Sequence, residues 1–300
     1  MLFSSIPFLY YFLPCVLLVY FAAPKKLKNS VLLLASLFFY GWGEPKYLLL
    51  MLFSIMQGYI FGLLIEKSRE RRSGKLCLAA GVVLSLAMLA YFKYADFMIA
   101  NLNALTGLSV PFLKIALPIG ISFYTFQIVS YLIDVYRGEV PAQRNFIDLA
   151  AYIAMFPQLI AGPIVRYSDI AAQLGSRTHT CAGAAYGVRR FVIGLSKKIL
   201  IANLLGSLAS AYKTTQDASV LFGWLYAAAF MLQIYYDFSG YSDMAIGLGS
   251  VFGFRFSENF NYPYIAGSIT EFWRRWHISL GSWFRDYLYV PLGGNRKGKV

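Results

Sequence analysis

The sequence predicts an all-α, polytopic transmembrane fold with short re-entrant or interfacial helices. Three observations predict it: 58% of the 300 residues are hydrophobic, only 14% are charged, and the mean hydropathy is +0.56. A water-soluble core cannot hide that much apolar surface, so lipid must solvate much of the chain. A bilayer core of ~30 Å needs roughly 20 residues of helix per crossing, and the chain offers about seven to nine apolar segments of that kind.

The first segment, Met1 to Ala23, is apolar, and its basic cluster, Lys25, Lys26 and Lys28, follows the apolar run. A secretory signal peptide has the reverse order, so this segment reads as a first span with its N-terminus outside. Val31 to Trp42 and Tyr47 to Ile65 form the next pair, joined by the turn at Gly43 to Pro45. They return the chain to the cytoplasm at Glu66 to Lys75, which holds Lys67, Arg69, Arg71, Arg72 and Lys75. Two basic clusters thus agree on one orientation under the positive-inside rule.

Further spans are expected at Leu76 to Tyr94, Phe112 to Tyr136, with Pro118 and Gly120 marking a kink or helix start, and Phe146 to Val165. Gly187 to Leu208 and Leu221 to Tyr236 complete the set, the former tilted or interfacial because Lys197 and Lys198 interrupt it. Beyond Asp237 the apolar runs are short and broken by Gly, Pro and charge, which in hydrocarbon is tolerated only in buried or cavity-lining backbone. With no repeat and no linker, residues 1–300 read as a single membrane domain.

The formal net charge of +13 would suggest nucleic acid in a soluble protein. Here the cations sit in short clusters between apolar runs, and an anionic leaflet is sufficient to account for them, so membrane lipid is the expected partner and nucleic acid is not. Cys15, Cys77 and Cys181 are odd in number and widely spaced. They suggest small buried apolar residues rather than a disulfide framework or a metal site. With only His179 and His277 in the chain, a multi-histidine metal site is excluded.

Three segments can carry chemistry. In Tyr235 to Asp243 the carboxylates Asp237 and Asp243 interrupt an apolar stretch. Either they line a cavity, as carboxylates at membrane depth do, or they lie in a surface loop with Asp243 capping the following helix. In Thr270 to Tyr287, a continuous helix would place Arg274, His277, Gly281 and Arg285 at i, i+3, i+7 and i+11 on one face, with Trp276, Trp283 and Tyr287 on another. Such a helix lies at an interface or dips into a funnel, and periodicity alone favours a membrane-surface helix whose arginines bind lipid phosphates and whose His277 fills a polar gap. Pro291 to Lys299 is a glycine-rich basic turn without P-loop spacing. It reads as a basic loop or as an anchor for the phosphates of a large donor. Neither a Gly-x-Ser-x-Gly elbow nor a Ser-His-Asp arrangement is present, which argues against the usual hydrolases.

The strings Leu117-Pro118-Ile119-Gly120-Ile121-Ser122-Phe123-Tyr124, Phe156-Pro157-Gln158-Leu159-Ile160-Ala161-Gly162-Pro163, Tyr236 to Ala245, Phe272 to Leu280 and Arg285-Asp286-Tyr287-Leu288-Tyr289 occur in one order along nearly the whole chain. In them the sequence resembles the alginate O-acetylation subfamily of the membrane-bound O-acyltransferase (MBOAT) family.

That resemblance implies a multi-pass O-acetyltransferase of the bacterial inner membrane. It would bind no cofactor permanently, take an acetyl group from cytoplasmic acetyl-CoA, and pass it to a periplasmic or extracellular acyl-accepting partner that modifies a polysaccharide such as alginate. It places His277 in the active-site funnel. Because O-acyl transfer needs a neutral imidazole to accept the acceptor's proton, His277 is the catalytic candidate in this chain. It would share that role with the histidine of the family's distal Trp-His-Gly motif, the usual catalytic candidate. Arg274, Arg275 and Arg285 would hold the donor or stabilise charge, and Asp237 and Asp243 would orient those cations or line the acceptor path. Relatives continue past the Gly-Gly-Asn-Arg turn to a Trp-His-Gly motif absent here, so the chain is expected to be C-terminally incomplete. A transporter or flippase with Asp237 and Asp243 as a proton relay, or an inactive fragment acting as a scaffold, are the competing expectations.

Overall fold

The structure, a computed structural model, describes residues 1–160, 162–215 and 219–297. Every regular element among them is helical, and the chain divides into two compact units. Three helical stretches, Pro45–Ser68, Arg72–Thr106 and Cys181–Tyr212, are long and apolar enough to cross a bilayer.

The unit of residues 20–160 and 166–168 is built on α2 (Lys28–Gly43), α3 (Leu48–Ser68), α4 (Arg72–Thr106) and α5 (Ile121–Arg137), α1 being the N-terminal Leu13–Ala22. Small residues let these helices approach closely: a Cβ on Gly62 of α3 would lie 2.6 Å from the Tyr131 hydroxyl of α5, and one on Gly81 of α4 would lie 2.8 Å from Leu132. Buried Gln57 joins α3 to α4, its Nε2 donating to the Gly81 carbonyl at 2.8 Å and to Ser85 Oγ at 3.0 Å. In a lipid-solvated bundle such packing and polar contacts hold helices together where the hydrophobic effect between them is weak.

Several expected spans are redrawn. The N-terminal stretch is helical over Pro7–Ala22, shorter than a straight crossing requires. The segment expected at Leu76 to Tyr94 extends to the 35 residues of α4, because nothing stops it before Gly107, whose φ of 72° ends the helix in the left-handed region. The one expected from Phe112 begins only at Ile121. Upstream, Asp96 holds irregular backbone by accepting from the amides of Leu113 at 2.7 Å and Lys114 at 3.0 Å, and Gly120, at φ 76°, turns the chain into α5. Phe146 to Val165 is no span. It breaks at Met155 into α6 (Phe146–Ala154) and α7 (Phe156–Leu159), since Pro157, lacking an amide hydrogen, fits the first turn of a new helix rather than the interior of a continuing one.

The unit of residues 1–19, 161–165 and 169–300 contains α8 (Tyr167–Gly175, from its third residue), α9 (Cys181–Ser196), α10 (Asn203–Thr214) and α11 (Val220–Val251). A π-helical turn, Lys197–Ala202, joins α9 to α10. α9 and α11 meet through paired glycines. A Cβ on Gly187 would lie 2.6 Å from the Gly247 carbonyl oxygen and one on Gly247 2.6 Å from that of Gly187, while Gly240 meets the Gly194 carbonyl at 2.8 Å. Positions seven apart on each helix therefore register them antiparallel at backbone contact.

The cysteines are not buried: Cys15 and Cys181 are exposed and Cys77 partly so. On apolar helices the outer surface is itself the apolar solvent boundary, so a small apolar residue gains little there by facing inward.

Candidate functional site

Asp237 and Asp243 lie within α11, a helix that runs unbroken from Val220 to Val251, so the expected surface loop and the Asp243 helix cap do not form. The helix tolerates both carboxylates because α9 and the π turn supply their countercharges. Asp243 Oδ1 accepts from Arg190 Nε at 2.8 Å, and its Oδ2 pairs with Lys197 at 2.6 Å. Asp237 pairs with Lys198 at 2.6 Å. Lys197 and Lys198, read as interruptions of a span, are the partners of those acids. Arg190 also reaches Glu258 at 2.5 Å, giving a chain of charges from Lys197 to the segment beside Asn259.

The segment Thr270 to Tyr287 is not one helix. α12 (Ile269–Arg275) ends at Trp276, His277 adopts φ 45° and ψ 54°, and α13 (Ile278–Phe284) begins directly after it, followed by a π turn at Arg285–Tyr289. The shared face of Arg274, His277, Gly281 and Arg285 is therefore lost, and the break falls at the histidine itself. The aromatic face divides as well: Trp276 stacks on Phe272 with ring centroids 5.6 Å apart and meets Phe260 edge-on at 5.1 Å, whereas Trp283 packs against Tyr287.

The left-handed turn places the ring of His277 on Asn259. His277 Nδ1 lies 3.1 Å from Asn259 Oδ1, which also accepts from the Ser279 amide at 3.2 Å and from Ser279 Oγ at 2.8 Å. The Asn259 carbonyl accepts the Ile278 amide at 3.0 Å. A backbone amide can only donate, so the Asn259 atom it meets is oxygen, and Nδ1 must carry the hydrogen it gives to that oxygen. Nε2 then holds the free lone pair. Asn259 is fully buried, and its Nδ2 has no hydrogen-bond partner among the described residues, so its amide is oriented by what Oδ1 accepts. Phe238 of α11 closes on the imidazole edge-on, with centroids 4.8 Å apart.

His277 lies outside the three long apolar helices, and burial lowers its pKa to about 4. The ring is thus neutral at physiological pH. It lines an apolar pocket of about 330 Å³ with Trp273, Trp276, Leu280, Gly281 and Phe284. Replacing Asn259 by leucine should leave the buried Ser279 amide unpaired, cost about 1–3 kcal/mol and release the tautomer. Nitrogen-15 histidine spectra of the variant should show a mixture of Nδ1–H and Nε2–H forms where the wild type shows Nδ1–H alone.

Among the described residues, none of the arginines lines this pocket. Arg275 is a clasp, donating from Nε to Glu271 at 2.9 Å and from Nη1 to the Asn261 carbonyl at 3.2 Å. Arg285 is exposed and paired with Asp286 at 2.7 Å, and Arg274 is exposed. Asp237 and Asp243, expected to orient these cations, serve Lys198, Lys197 and Arg190 instead. In the glycine-rich turn, Gly293 and Gly294 take positive φ; its last residues, 298–300, and the side chains of Arg296 and Lys297 lie outside what is described. Sequence reasoning assigned no role to Asn259 or Ser279, although Ser279 stands in the same Phe272 to Leu280 string as His277.

The sequence model described as MBOAT, membrane-bound O-acyltransferase family, matches residues 139–300. The chain is 51% identical over 301 residues to the protein named probable alginate O-acetylase AlgI of Pseudomonas aeruginosa, covering 99% of this chain and 58% of that one. It is 36% identical over 329 residues to a peptidoglycan O-acetyltransferase of Helicobacter pylori, covering 99% and 62%. A teichoic acid D-alanyltransferase of Bacillus subtilis is 31% identical over 177 residues, 57% of this chain and 45% of that one. The chain therefore spans about three fifths of the length of the relatives it matches end to end.

Proposed function

We propose that this chain, which belongs to the membrane-bound O-acyltransferase family, carries the general base of an O-acetyltransferase. The enzyme moves an acetyl group from cytoplasmic acetyl-CoA across the bacterial inner membrane to an acyl-accepting partner outside, for O-acetylation of a cell-surface polysaccharide such as alginate. The observation that carries this reading is the neutral imidazole of His277, with Nδ1–H fixed on Asn259 and Nε2 left as a base beside an apolar pocket. The relatives named as O-acetylases and O-acetyltransferases support the choice of acyl group and acceptor. The basic clusters after the first span and at residues 67–75 support an N-terminus outside and a multi-pass chain.

In the reaction, Nε2 takes the proton of the acceptor hydroxyl as its oxygen attacks the thioester carbonyl carbon. The carbon–sulfur bond then breaks, and the departing thiolate takes the proton back from the imidazolium. The exposed Arg274 meets the donor's phosphates, joined by the exposed Arg285 when it exchanges Asp286 for them, while Arg275 is committed to Glu271 and Asn261.

Membranes containing the full-length protein, given acetyl-CoA labelled in the acetyl group, are expected to form alkali-labile acetyl ester on the acceptor. Movement of polymer across the membrane without ester formation would favour a transporter and sink the reading. The ion pairs that hold Asp237 and Asp243 already weigh against their service as a free proton relay.

A further inference from the structure

Gly281 stands in the middle of α13, where glycine is about 1 kcal/mol worse than alanine. None of the usual structural reasons accounts for it. Its φ is not positive, and a Cβ there would meet a single atom within 4 Å, the Trp273 carbonyl oxygen at 3.9 Å, which is ordinary contact. At Gly187 and Gly247, by contrast, the same added atom would strike backbone at 2.6 Å. What Gly281 does face is the pocket beside the imidazole, which it lines with Trp273, Trp276, Leu280 and Phe284.

We propose that Gly281 is the specificity-determining floor of this pocket, leaving the space in which the acyl end of a thioester donor rests against His277. The inference rests on the acyl-transfer reading above and deepens it. Two indole rings, a leucine, a phenylalanine and a neutral imidazole line the open space, with no cation and no carboxylate among them. Its occupant is therefore uncharged and largely apolar, which suits the thioester end of the donor and leaves the phosphates to lie elsewhere. A side chain at residue 281 would grow into that space without disturbing the backbone.

The test uses the full-length protein in membranes, with acetyl-CoA and butyryl-CoA as probes, and with folding followed by the thermal midpoint. Gly281→Ala is expected to lower the ratio of butyryl to acetyl kcat/KM roughly tenfold or more, the scale of a lost methylene-sized space. Gly281→Leu should suppress both donors, chiefly by raising KM. A wild type that transfers acetyl while both folded variants keep its butyryl-to-acetyl ratio overturns the proposal and leaves the function standing. Misfolding of both variants also overturns it, since the glycine would then be structural. A wild type inactive with either thioester is a failure of the acyl-transfer reading itself.

Discussion

His277→Ala in the full-length membrane protein should lower acetyl transfer by roughly 10²–10⁴-fold, the range that a positioned general base contributes, while insertion and folded yield stay near wild type. The pocket should survive, because the ring is held from outside it by Asn259 and edge-on by Phe238, and alanine leaves no charge unpaired. The rate is read as ester formed from labelled acetyl-CoA. A mutant with wild-type ester content would remove His277 from the chemistry. The same site sets a pH dependence. With the imidazole pKa lowered by burial from 6.5 to about 4, the base stays unprotonated on acidification, so His277 should introduce no acidic limb between pH 7 and pH 5. Stability follows the other side of the linkage: below pH 6.5 the unfolded chain takes up a proton at this residue that the folded chain refuses. The folded form therefore loses stability as pH falls from 6.5 toward 4, and nothing from this group above that window.

The sequence makes the helical class legible because composition and the run length of apolar residues are local properties. The start of α5 is legible for the same reason: Pro118 and Gly120 impose it on the backbone. Local signals also mislead where charges find distant partners. Asp237 and Asp243 look like a break when α11 is read alone, and they become tolerable only once Arg190 of α9 and Lys197 and Lys198 of the π turn approach them. A signal for that meeting does exist in the seven-residue spacing of Gly187 with Gly194 and of Gly240 with Gly247, which admits the two backbones to contact. His277 is singled out by its rarity and its arginine neighbours, but its left-handed backbone is not foreseeable, since periodicity treats Thr270 to Tyr287 as one helix. Asn259 lies 18 residues from His277 in sequence, and only the fold brings its oxygen to Nδ1.

Removal of one carboxylate from that charge network should have the largest effect on assembly. Asp243 is almost buried and answers both Arg190 and Lys197. Asp243→Ala leaves Lys197 without this partner and Arg190 with Glu258, both at the α9–α11 contact, and removing one partner of a buried pair costs about 3–5 kcal/mol. The expected result is a sharp fall in folded, detergent-extractable protein and in its thermal midpoint. Asp286→Ala, which removes the partner of the exposed Arg285, should cost less, an exposed pair of this kind being worth about 1 kcal/mol at most. If the loss arises from uncompensated charge, adding Lys197→Met to Asp243→Ala should recover part of the midpoint by removing one unpaired cation. A lost carboxylate hydrogen bond alone would not be restored that way, and an Asp243→Ala protein as stable as wild type would show that the network is idle. Arg190 also grips Glu258, the residue before Asn259. The rescued double variant should therefore still transfer acetyl more slowly than wild type, because a guanidinium held by Glu258 without Asp243 fixes less firmly the segment of chain on which the imidazole is hung.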